Sequence, residues 1–249
     1  MMMTRIATFA AITGTIFACP VLAQTSDEGL VLGGGIRVAP EYEGSASDKA
    51  SAIPFLAYSH GRYAVSPDRL SVSILRGNGH NLSFAVGYGG GRDADDLPAN
   101  GFEDIDNAVF LGARYDVVRT QYHVAIKADH YLGESKGTTL TLEGGPHAKV
   151  SDRLTVSATA GVTFSDTSYM DTYFGVTGGE AMRSGLASYS VGSGPRRADV
   201  ALSAIYTVTD DWFVRGEVGF GKLLGDAADS PLVEDDTPVT TMFLVGYRF

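Results

Sequence analysis

The sequence predicts an all-β protein: a closed antiparallel transmembrane β-barrel of about twelve strands, with ten as the alternative count. Three observations carry this. Apolar and polar residues alternate with period two along most of the chain. Several alternating runs hold about 10 to 13 residues, enough to cross a bilayer at a tilt. Beyond residue 23 no stretch offers the roughly 18 consecutive apolar residues that a helical span needs.

The first 23 residues stand apart. Arg5 supplies a basic start, an apolar run extends from Ile6 to Leu22, and Val21-Leu22-Ala23 makes a small-residue ending, so residues 1–23 read as a secretory signal peptide cut between Ala23 and Gln24. Cys19 raises the alternative of a lipoprotein, but Ile16, Phe17 and Ala18 match the acylation motif poorly. With the leader removed, no cysteine remains for disulfide or thiol chemistry. Residues 24–249 then read as one barrel domain, since no linker divides them. Removing Arg5 leaves 18 basic against 29 acidic residues, a net charge of -11, which argues against nucleic acid as a partner.

Strand by strand, the pattern is most regular from Leu154, where Leu154, Val156, Ala158, Ala160, Val162 and Phe164 alternate with Thr155, Ser157, Thr159, Gly161 and Thr163. From Val200 it repeats, and only Ile205 breaks it. Turn signals place strands at 29–40, 51–60, 62–66, 69–76, 80–91, 104–118, 121–133, 138–150, 153–164, 196–209, 211–222 and 238–249. The split at Ser66-Pro67-Asp68 rests on proline, which cannot donate to a central ladder. With it the count is even, the tight turns fall on the periplasmic side, and the long segments 92–103, 165–195 and 223–237 fall outside. Tyr115, Tyr122, Tyr131, Phe164, Trp212, Phe220, Phe243, Tyr247 and Phe249 are candidates for the interfacial aromatic girdles.

If the apolar face meets lipid, the polar parity faces the lumen and carries Arg114, Asp116, Lys127, Asp129, Glu143, Arg215, Glu217 and Arg248, with Arg37, His123, His147, Lys149, Arg153, Arg197 and Asp199. Facing hydrocarbon, a charge would cost about 2 to 4 kcal/mol at mid-depth. Interleaved signs predict paired side chains that fill the interior rather than a selective ring of one charge.

No catalytic motif stands out. His123, Asp129, His130, Glu143 and His147 belong to none, Gly192-Ser193-Gly194 lacks the nucleophile-elbow spacing, and no metal-ligand spacing or cofactor motif is present. Gly33-Gly34-Gly35 precedes no helix or Lys-Ser/Thr, so close strand packing explains it better than a phosphate loop.

The segment Leu223-Leu224-Gly225-Asp226-Ala227-Ala228-Asp229-Ser230-Pro231 closely resembles the signature of the MipA/OmpV family of outer-membrane proteins. The likeness continues through Pro40-Glu41-Tyr42-Glu43-Gly44-Ser45, Gly91-Arg92-Asp93, Tyr173-Phe174-Gly175-Val176, Ser184-Gly185-Leu186 and the terminal Gly246-Tyr247-Arg248-Phe249. The resemblance implies residence in the outer membrane of a Gram-negative cell, among its lipids and lipopolysaccharide. It also implies a non-enzymatic interaction or scaffold role toward a murein lytic transglycosylase and a murein synthase. It carries over no catalytic residue. Two other readings stay open: a narrow channel for small solutes, motivated by the polar lumen, and a lipid-modifying enzyme, resting only on the lumen histidines. The expected functional loops are Tyr173, Phe174 and Gly175, and Leu224, Gly225, Asp226, Asp229, Ser230 and Pro231, with residues 166–185 long and aromatic enough to fold over the barrel mouth.

Overall fold

A computed structural model describes residues 28–133 and 136–249. The expected leader, its Ala23/Gln24 cut and Cys19 lie outside the described residues. Twelve strands run in order: β1 (Glu28–Pro40), β2 (Asp48–His60), β3 (Tyr63–Ser66), β4 (Arg69–Gly77), β5 (His80–Gly89), β6 (Ala108–Val118), β7 (Tyr122–Tyr131), β8 (Gly137–Lys149), β9 (Leu154–Ser165), β10 (Gly194–Thr207), β11 (Trp212–Leu223) and β12 (Val239–Arg248). Each pairs antiparallel with the next, and β1 pairs with β12, closing the barrel.

Pro67 separates β3 from β4 as its missing N–H requires. Two strand starts differ from expectation by three residues or more. β2 begins at Asp48 rather than at 51, because Asp48, Lys49 and Ala50 pair with Pro40, Ala39 and Val38. Residues 104–107 do not open β6. Asp104 and Asn107 instead accept hydrogen bonds from the backbone N–H groups of Ala94 and Gly91, at 2.7 and 2.8 Å, which folds the segment onto its own loop and leaves a single bridge between Arg92 and Ile105.

Period two sorts the faces. Ile36, Leu70, Phe84, Leu111, Leu142, Leu202 and Phe243 stand exposed on the outer surface, where acyl chains take the place of a protein core. The inner parity is mostly buried. Tyr131 lies on that inner parity with Lys127 and Asp129, so it is not a girdle residue. Its ring packs at 5.7 Å from that of Tyr169.

The closing seam accounts for two of the three clustered glycines. A Cβ on Gly33 would meet the carbonyl oxygen of Val245 at 2.4 Å, and one on Gly35 that of Phe243 at 2.1 Å, both on backbone that cannot yield. Gly34, on the opposite parity, has nothing nearer than 3.8 Å. The seam therefore requires glycine on its inward face.

Candidate functional site

Three short helices lie at the outer rim: α1 (Thr167–Phe174), α2 (Gly178–Ser184) and α3 (Gly225–Ala228). α1 starts where Asp166 accepts a hydrogen bond from the Tyr169 backbone N–H at 2.9 Å. α2 starts with a reciprocal cap between Thr177 and Glu180 and stops at Gly185, whose φ of 78° suits glycine. The apolar side of α1 turns into the mouth, where Tyr169, Met170, Tyr173 and Phe174 pack with Val191, Leu223 and Ala227. Beside them Tyr42, Leu97, Val176 and Leu232 form a second cluster. Each fully buried large side chain contributes about 1.5 to 3 kcal/mol, so these contacts hold the lid firmly.

Hydrogen bonds tie the loops together. Ser230 Oγ donates to the Phe174 carbonyl at 2.6 Å, Tyr42 Oη to the Leu232 carbonyl at 2.9 Å, and Arg92 to the Tyr173 carbonyl at 2.7 Å. Asp226 accepts from the Gly192 N–H at 2.8 Å, while the backbone N–H of Asp229 closes α3 onto Gly225. The two segments singled out in the sequence, 173–175 and 224–231, thus meet through Ser230 and Phe174, and Leu224 is anchored by its N–H on the Arg196 carbonyl at 2.8 Å. Burial, reinforced by Glu234, raises the Tyr42 hydroxyl above its ordinary value and keeps it a donor.

Beneath the lid the lumen is lined by ion pairs and interrupted by one apolar patch. Across β4 to β9 it is ionic: Arg114 reaches both Asp116 and Glu143 at 2.8 Å, Lys127 lies 3.4 Å from Asp129, and Arg69 lies 3.3 Å from the same Asp129. Arg215 pairs with Glu217 at 2.5 Å on β11, and the Arg248 guanidinium lies over the Phe213 ring at 4.4 Å. His123 contacts Thr159 at 3.3 Å and its ring lies tilted at 6.2 Å from that of His147, whereas Asp129 is engaged by cations, so these candidate acid–base residues sit in separate clusters. The wall along β1, β2 and β10 to β12 carries an apolar patch, with Ile53, Ile205, Phe213, Met242 and Leu244 buried against Val31 and Phe55, beside the Arg197–Asp199 and Arg215–Glu217 pairs. Ile205, the residue that broke the alternation, belongs here. Ionic side chains thus occur on both sides of the lumen, interrupted by this patch where Ile53 of β2, Phe213 of β11 and Met242 and Leu244 of β12 turn inward.

Sequence reasoning missed Arg69, Glu43 and Arg196. Arg196 and Arg197 are adjacent and should face opposite ways, but a bulge between Pro195 and Arg197 turns both inward. There Arg196 is paired with Glu43 and lies over the Tyr169 ring, tying the β1–β2 loop to the lid. The proline preceding the arginine pair was the only available signal.

A family model described as MltA-interacting protein MipA matches residues 32–249. The chain belongs to the MipA family. Like that family it is an outer-membrane β-barrel. The outer membrane protein YiaT of Escherichia coli (strain K12) is 25% identical over 239 residues, covering 94% of this chain and 96% of that one. The MltA-interacting protein of the same strain is 33% identical over 96 residues, 39% of this chain and 38% of that one. Among solved structures, the translocator domain of the autotransporter NalP from Neisseria meningitidis superposes with a TM-score of 0.48 at 13% identity, over 90% of this chain and 89% of that one. The matched region, residues 32–249, takes in the lid loops and nearly all of the barrel.

Proposed function

We propose that this MipA-family barrel is a non-enzymatic interaction protein of the outer membrane that holds a murein lytic transglycosylase, and through it a murein synthase, at the inner surface of that membrane. The observation that carries the reading is the covered mouth: α1, α3 and the loops around them bury two adjacent apolar clusters at the outer opening, which opposes free diffusion of solutes. The family description, which names interaction with MltA, supports the partner. Turns at Gly61, Asn78, Thr120, Asp152 and Asp210 are short, and a stable interface takes about 800 Å² per partner, so the partner would span several of them at once.

The test is chemical crosslinking of tagged protein in intact envelopes, combined with planar-bilayer recording of the refolded barrel. Capture of an MltA-type transglycosylase together with an electrically silent barrel is the expected result. Failure to capture any murein enzyme removes the scaffold role, and a steady ohmic conductance would replace it with the channel.

A further inference from the structure

The barrel wall is interrupted in its outer half. β3 has four residues, and β2 pairs with it only through Tyr58, Ser59 and His60. Above that point residues 48–57 of β2 pair with β1 alone. On the other flank, β5 pairs with β4 up to Gly87, donates one further bond from Tyr88 N–H to the Asp68 carbonyl at 3.1 Å, and thereafter pairs only with β6. β3 and β4 therefore stop while β2 runs on for ten residues, 48–57, and β5 for two, Tyr88 and Gly89. At about 4.8 Å per strand spacing the resulting notch is on the order of 10 Å wide. It lies in the outer half of the wall, and the loop after β5 spans it from above, where Asp96 lies 3.8 Å from Lys49 of β2.

Two features say what it admits. Ile53 and Phe55, on the inward parity of the same exposed edge, continue into the apolar patch of the lumen with Met242 and Leu244. The floor of the notch is polar, with Arg69 bonded to Asp68 at 2.8 Å and to Asp129 at 3.3 Å. Bare backbone at a strand edge is tolerated at membrane depth only where polar groups or water meet it. An apolar interior behind a polar threshold matches an amphiphile with one tail. Addition of a partner strand fits less well, because Pro54 removes a donor from the middle of the edge.

We propose that the notch between β2 and β5 is a lateral portal through which single-chain amphiphiles pass between the outer leaflet and the apolar patch of the lumen. This portal serves the membrane side of the barrel and is independent of any periplasmic partner.

The test uses tryptophan fluorescence in nanodiscs after Trp212→Phe removes the native indole. Phe55→Trp reports from the inward side of the notch, and Phe213→Trp from the lumen behind strands paired on both sides. Phospholipid brominated in its acyl chains should quench Phe55→Trp several-fold more than Phe213→Trp, and a brominated single-chain fatty acid added to unbrominated bilayers should quench Phe55→Trp saturably. Equal quenching of the two positions by brominated phospholipid, or a strictly linear dependence on the fatty acid, overturns the portal. If Phe55→Trp does not fold, Ser51→Trp on the same parity gives the same readout.

Discussion

Asp129 lies almost fully buried in the lumen, and Arg69, sixty positions earlier in the chain, reaches it at 3.3 Å from the floor of the wall's notch. Lys127 approaches the other oxygen of the same carboxylate at 3.4 Å. One anion thus compensates two cations across β4 and β7.

Replacing Asp129 with Asn leaves both cations without their shared charge, and loss of one partner from a buried pair costs about 3 to 5 kcal/mol. Urea unfolding of the refolded barrel should show that loss. The triple substitution Arg69→Met, Lys127→Met and Asp129→Leu, which removes both cations with the anion, should recover a large part of it, whereas an unchanged midpoint for Asp129→Asn would mean that the cluster carries no stability.

The seam predicts a contrast between neighbours. Gly35→Val places a side chain where the Phe243 carbonyl lies 2.1 Å from the ideal Cβ, so the folded, heat-modifiable band should be largely lost on refolding. Gly34→Ala, whose nearest atom is 3.8 Å away, should refold like the parent. Equal yields from the two variants would contradict the steric account.

Gly137 seats the lid. Its φ is 120°, and a Cβ there would fall 2.3 Å from the backbone nitrogen of Tyr169. Gly137→Ala should lift α1 and make the 166–193 loop more sensitive to protease added outside whole cells, while the strands stay protected.

Asp166 gives the lid a pH dependence. Partial burial opposes its ionisation, but hydrogen bonds from the backbone N–H groups of Tyr169 and Thr138 outweigh this and hold the carboxyl below its ordinary value of 3.8. A depressed folded value means that the cap stabilises fully above the ordinary value and is lost as pH falls through the folded one. Asp166→Ala should cost about 1 kcal/mol of lid stability at neutral pH. Hydrogen exchange of α1 reads this, and the gap between variant and parent should close only in strong acid.

Period-two alternation is a local property, which is why the twelve strands, the lipid face and the inward parity of Arg114, Lys127 and Glu143 were legible from the residues alone. Even Tyr131 was readable, since it shares parity with Asp129. The family likeness was equally legible, because the motif at 223–231 is contiguous in the chain.

What alternation cannot convey is which inward side chains meet, since that depends on stagger around the closed cylinder and on bulges that reverse parity. Only the tertiary structure decided that Arg196 turns inward to Glu43, that Ser230 holds Phe174, and that Ile205 joins Phe213 and Leu244 in an apolar patch of the lumen. It also turned the short β3, visible in the sequence as a proline turn, into a gap in the wall. A strand's length is written along the chain, but whether its neighbours rise past it is settled by closure of the whole sheet.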